Sequence, residues 1–117
     1  MAKLLEVRVG PAADALDRFE AAWNRHAEGK AASVLHVLTF ADRPLLARTL
    51  SPARWELIKK LKKKGPSSIY DLAKALQRDY KNVHTDVSQL AELGLVQRKS
   101  RTEVMVAWDA VRAELRL

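Results

Sequence analysis

The chain has 117 residues, with 21 Lys and Arg against 14 Asp and Glu for a formal charge of +7, a size that makes one compact domain the natural expectation. It contains no cysteine, which excludes disulfides, thiolate metal sites, cysteine nucleophiles and thiol redox sensing together. No apolar run approaches the roughly 20 residues needed to cross a bilayer and no apolar signal stretch follows Met1, so a soluble, cytoplasmic protein without a membrane partner is expected.

Residues 4–9, Leu-Leu-Glu-Val-Arg-Val, alternate Leu5, Val7 and Val9 with Glu6 and Arg8, the period of a half-buried strand. Gly10-Pro11 ends it. Over residues 12–28, Leu16, Phe19 and Trp23 recur at helical spacing and Asp14 and Asp17 sit where the helix dipole favours acids, which predicts an amphipathic helix. After Gly29, residues 33–40 read as a short apolar strand and residues 41–50 as a short helix entered through Pro44.

Ser51-Pro52 is a sharper start signal, because Ser accepts a bond from an orphan amide and Pro pre-sets the first helical dihedral. Leu57, Ile58 and Leu61 form the stripe of the helix that follows, and Lys59, Lys60, Lys62, Lys63 and Lys64 crowd its end before Gly65-Pro66. Ser68-Ile69-Tyr70-Asp71 is a capping box with Asp in place of Glu, opening a second helix that buries Ile69, Leu72, Ala73 and Leu76. The turn Gln77-Arg78-Asp79 leads to a third helix, capped by Asp79, with Val83, Val87 and Leu90 at i, i+4 and i+7 and Gly94 as a left-handed C-cap. Leu95-Val96 and Val104-Met105-Val106 then read as strands around a polar loop. Val111, Ala113, Leu115 and Leu117 alternate with Arg112, Glu114 and Arg116, which predicts a C-terminal strand, with a closing helix as the alternative.

Three helices followed by a basic β-hairpin is the order of a winged helix-turn-helix, so an α+β fold is expected, with a DNA-binding domain over residues 51–117. Residues 1–50 would be a strand-helix extension for dimerisation or partner binding. The charge agrees: residues 1–50 hold seven cations and six anions, residues 51–101 twelve and five, and residues 102–117 two and three. At about 100° per residue, Lys81, His84, Thr85 and Ser88 lie opposite or beside the Val83, Val87, Leu90 stripe, a short polar face fit for a major groove roughly 12 Å wide.

Ser-Pro-Ala-Arg-Trp-Glu-Leu-Ile at 51–58 and Asp-Tyr-Lys-Asn-Val-His-Thr-Asp-Val-Ser-Gln-Leu-Ala-Glu-Leu-Gly-Leu-Val at 79–96 resemble the small bacterial and archaeal regulators with MarR-like and ArsR-like winged helices. The resemblance is densest over residues 50–97 and extends more weakly into the N-terminal strand and helix. It implies a DNA-binding transcriptional regulator, in some relatives paired with a small toxin-like partner, and puts Tyr80, Lys81, Asn82, His84 and Thr85 where a recognition helix begins. The chain departs from the pattern at Gln77, where relatives often have Gly and a left-handed residue would cost roughly 1 kcal/mol, so a differently built turn is expected. Thr85 and Ser88 stand where Arg or Lys is common, and a thiolate sensor is excluded.

The expected function is therefore sequence-specific binding of duplex DNA by a homodimer, with residues 79–93 in the major groove and the wing, residues 97–103, on the flanking backbone. Candidate contacts are Arg54, Ser68, Tyr80, Lys81, Asn82, His84, Thr85 and Ser88, with Arg98, Lys99 and Arg101 on the wing. Asp86 would repel phosphate and reads as a structural ion pair, lysines 59–64 as a solvated helix end, and Trp23, Trp55 and Trp108 as packing. There is no phosphate-binding Gly-rich loop, nucleophile elbow or His-Glu-x-x-His, so neither an enzyme nor a cofactor is expected. An antitoxin-like autoregulating module and an RNA-binding or protein-binding winged helix are the alternatives.

Overall fold

In the computed structural model, which describes residues 3–10 and 36–114, alternation and capping account for most of the elements. Strands β1 (Leu4–Val9) and β2 (His36–Phe40) are followed by helices α1 (Arg43–Thr49), α2 (Pro52–Lys64), α3 (Ile69–Leu76) and α4 (Tyr80–Glu92), then by the short strands β3 (Gln97–Arg98) and β4 (Val104–Met105), and finally by β5 (Ala110–Glu114). These described elements make an α+β fold. The expected helix over residues 12–28, the first residues of the strand expected over 33–40, and residues 115–117 lie outside the described residues. Among the described residues no helix is long and apolar enough to cross a membrane.

The chain divides into two compact units, Met1–Arg48 with Trp108–Leu117, and Thr49–Ala107. The first holds a parallel sheet of order β2-β1-β5, with Leu5 opposite His36 and Leu4 opposite Ala110. The C-terminal strand thus lies in the unit that contains β1, whereas the sequence-based division grouped it with residues 51–107; its ladder partner is β1, a pairing far apart in sequence. Central placement also changes how β1 is buried. Leu5 and Val7 are buried as the alternation implies, but so is Glu6, which lies on the middle strand between β2 and β5 with arginines of β1 and β5 against its carboxylate. The Glu6 carboxylate accepts from Arg8 Nη2 at 2.6 Å and faces Arg112 Nη1 at 3.8 Å, on the residue opposite it in the ladder. Trp108 is buried, with the His36 ring edge-on at 4.8 Å between centroids and Lys3 Nζ 5.4 Å over the indole.

In the second unit the caps sit where the sequence puts them. Ser51 Oγ accepts from the Arg54 amide, Ser68 Oγ from the Asp71 amide at 3.0 Å, and the Asp79 carboxylate from the Asn82 amide at 3.3 Å. The core joins Leu57, Ile58 and Leu61 of α2 to Leu72 and Ala73 of α3 and to Val83, Val87 and Leu90 of α4, with Leu95, Val96, Val104 and Val106. Ile69 and Leu76, expected in the core, are half-buried because they end the short α3. Leu95 and Val96 are not strand residues: both amides donate back to the Leu90 carbonyl, at 3.0 and 3.4 Å, so hairpin pairing begins two residues later at Gln97.

Gln77 is left-handed, at φ 54° and ψ 44°, and among the described residues it is the one non-glycine with positive φ. Its amide donates to the Lys74 carbonyl and the Arg78 amide to the Ala73 carbonyl, both at 3.1 Å, which is a Schellman ending normally built on Gly. The turn therefore keeps the left-handed geometry that Gly ordinarily supplies, and the differently built turn expected from Gln77 is not what forms. Gln77→Gly should stabilise the protein by about 0.5 kcal/mol, the left-handed penalty less the extra freedom of Gly in the unfolded chain. Urea unfolding checks this, and an unchanged or lowered midpoint contradicts it.

Candidate nucleic-acid interface

Helix α4 carries most of the candidate residues. With Val83, Val87 and Leu90 buried, Lys81, His84 and Thr85 are exposed and Ser88 is half-buried, all within three turns. Tyr80 is 49% exposed and stacks obliquely on His84, with ring centroids 5.9 Å apart. The Thr85 hydroxyl donates to the Lys81 carbonyl at 3.1 Å, which occupies its polar atom and leaves its methyl for apolar contact. Glu92 is exposed at the far end, so a polyanion is favoured only along the first turns of the helix.

Asp86 sits at the edge of the buried stripe and takes two arginines. Arg54 Nε donates to Oδ1 at 3.1 Å and Arg78 Nη2 donates to Oδ2 at 2.8 Å, with side-chain exposures of 13% for Arg54, 29% for Arg78 and 15% for Asp86. Arg54 also donates to the Thr49 carbonyl at 2.8 Å and to the Gln89 side chain. Arg54, expected as a phosphate contact, is thus turned inward and taken up by three acceptors. The ion-pair role expected for Asp86 is observed.

The hairpin is short and closed. Gln97 pairs with Met105 and Arg98 with Val104, and the Lys99 amide donates to the Glu103 carbonyl at 3.0 Å. Ser100 Oγ accepts from the Glu103 amide at 3.2 Å. Arg98, Lys99 and Arg101 are all exposed around this turn. At its base, Ser67 and Val104 exchange both backbone bonds, at 3.0 and 2.9 Å, which ties the hairpin to the residue just before Ser68. Ser68 itself is half-buried and its hydroxyl oxygen caps α3.

Tyr70 was not among the expected contacts. It is 60% exposed in the first turn of α3, two residues from Ser68, with Lys74 Nζ 5.5 Å from its ring centroid. The i, i+4 spacing of Tyr70 and Lys74, outside the Ile69, Leu72, Ala73, Leu76 stripe, is the signal that marks this pair in the sequence. The exposed groups of α4, the start of α3 and the hairpin all belong to the unit Thr49–Ala107. They offer hydrogen-bonding side chains on a helix and cations on a loop.

The family model described as HVO_A0114 matches residues 49–113, more than half of the chain. The chain belongs to the HVO_A0114 family. The HVO_A0114 match takes in α2, α3, α4 and the hairpin, so every candidate contact lies inside it. Comparison with curated proteins and with solved structures returns no match.

Removing the Asp86 carboxylate leaves two largely covered guanidinium groups without their shared acceptor. Asp86→Ala should destabilise the full chain by about 2 to 3 kcal/mol. Glu92→Ala, on the same helix but exposed, should change stability by less than about 0.5 kcal/mol. Equal unfolding midpoints for the two variants would show that the Asp86 cluster holds nothing together.

Proposed function

We propose that this protein binds duplex DNA sequence-specifically as a transcriptional regulator, using residues 49–107 as a winged helix-turn-helix. In this reading α4 enters the major groove, the β3–β4 hairpin is the wing on the flanking backbone, and the start of α3 touches phosphate. The observation that carries it is the exposed, uncluttered face of α4, with Lys81, His84, Thr85 and Ser88 beside Tyr80, in the same unit as a hairpin tip bearing Arg98, Lys99 and Arg101. Lys81 is a donor for a guanine edge, the Thr85 methyl suits a thymine methyl, and the hairpin cations supply sequence-independent attraction. The resemblance of residues 50–97 to MarR-like and ArsR-like regulators supports the same reading.

The protein acts as a homodimer on a pseudo-palindromic site with half-sites about one turn, ~34 Å, apart. Support comes from the sheet of the other unit: among the described residues β2 and β5 each pair on one side only, with β1, and Val37 on β2 is exposed. Such edges favour pairing with a second chain.

With Arg54 engaged by Asp86 and Lys81 assigned to a base edge, the available phosphate partners are Arg98, Lys99 and Arg101, roughly three contacts per subunit. The log-log salt slope of a dimer should then be about −5. A slope shallower than about −2 would reduce the basic loop to a solubilising face. In the same titrations Lys81→Ala should weaken a selected site more than random duplex by ~1 to 3 kcal/mol, while Arg98→Ala should weaken both alike. Selection of bound sites from random duplex DNA supplies the site, and the absence of any enriched sequence at moderate salt would overturn the proposal.

A further inference from the structure

The basic cluster on α2 has no part in the interface just described. Ala53, Glu56, Lys60 and Lys63 stand at i, i+3, i+7 and i+10, one line along the helix, and with Ala75, Leu76 and Arg78 they border an open groove of about 590 Å³. Ala53, Ala75 and Leu76 supply an uncharged lining. Around it stand Lys59, Lys60 and Lys63, with the Arg78 guanidinium engaged by Asp86, against one acid, Glu56, whose carboxylate lies 3.4 Å from Lys59 Nζ. Lys60 and Lys63 have no carboxylate partner among the described residues. The helix dipole accounts for cations in the last turn, Lys62, Lys63 and Lys64, and Glu56 pairs with Lys59, which leaves Lys60 with neither explanation.

We propose that this groove docks an acidic amphipathic segment of a partner protein. Its carboxylates meet the cationic rim and its apolar side chains meet Ala53, Ala75 and Leu76. Charge complementarity and shape favour this occupant over a second stretch of duplex. A convex sugar-phosphate backbone has nothing to place on an apolar floor, whereas a helix with acids on its flanks and Leu or Phe on one face matches both parts. The line from Ala53 to Lys63 is about 15 Å long at 1.5 Å per residue, room for roughly three turns of such a helix.

The test is display selection of random peptides of about fifteen residues on the full chain, with Lys60→Glu/Lys63→Glu and Ala53→Trp as parallel baits. The first variant reverses the rim and the second fills the floor without changing charge; all three residues are exposed on α2. Enriched peptides should be rich in Asp and Glu, with Leu, Ile or Phe at i and i+3 or i+4. Their synthetic copies should bind about tenfold or more weakly to each variant and survive an excess of random duplex DNA. No enrichment, enrichment of non-acidic peptides, or binding that ignores either variant would overturn the proposal. So would displacement of the peptide by duplex DNA, or loss of DNA affinity in the variants as large as the loss of peptide affinity, since the groove would then be a polyanion surface.

Discussion

The orientation of α4 depends on one carboxylate. Asp86 lies at the edge of the Val83, Val87, Leu90 stripe, where the helix meets both α2 and the turn that precedes it, and it accepts from an arginine on each side. A helix held only by an apolar stripe can roll by a few tens of degrees at small cost, whereas a carboxylate gripped by two guanidinium groups fixes the rotation. That rotation decides which residues face outward. With Asp86 inward, Lys81, His84 and Thr85 are exposed; rolling the helix the other way would present the acid itself to any polyanion. The same cluster removes Arg54 from the surface, so the outward positive charge of this unit comes from the hairpin, Lys74, Lys81 and the lysines of α2.

Helix endings set the second constraint. Gln77 and Gly94 end α3 and α4 with the same pair of backbone bonds: Arg78 to Ala73 and Gln77 to Lys74 in one, Leu95 to Leu90 and Gly94 to Ala91 in the other. The first ending points Arg78 back toward Asp86, so a left-handed Gln and a buried ion pair belong to one local solution. The second holds the amides of Leu95 and Val96 on the helix side. Their side chains are buried, their backbones are unavailable for a ladder, and the hairpin shrinks to two pairs with its cations close to the turn.

Local signals made α2, α3 and α4 legible: Ser51, Ser68 and Asp79 each cap within three residues of their own position, and the apolar stripes repeat inside one helix. The hairpin that carries Arg98, Lys99 and Arg101 was legible for the same reason, since a polar loop between two short apolar runs is a local pattern. What the sequence hid is non-local. Arg54 looks like any helix-start cation until Asp86, far along the chain, is brought to it. Glu6 looks like the polar side of a half-buried strand until β2 and β5 cover both edges of β1. Leu95 and Val96 have strand-forming side chains, and only the carbonyl of Leu90 decides that they finish a helix instead.

The parallel sheet explains why a division of the sequence at residue 51 could not separate the two units. Parallel neighbours cannot be joined by a tight turn; the chain must travel from the end of one strand back to the start of the next through a crossover of a dozen or more residues. After β2 ends at Phe40, the next strand of that sheet begins at Ala110. Residues 41–109 are therefore the return path, and the whole unit Thr49–Ala107 lies inside it. A unit placed in a crossover has both ends committed to a sheet it does not share, so it can elaborate its own core and surface while the sheet closes around it in sequence. Ser51-Pro52 is a strong local boundary because a helix must start there, but the matching boundary before Trp108 has no such cap. It is set by the ladder that β5 makes with β1, and that ladder is visible only once residues more than a hundred positions apart are side by side.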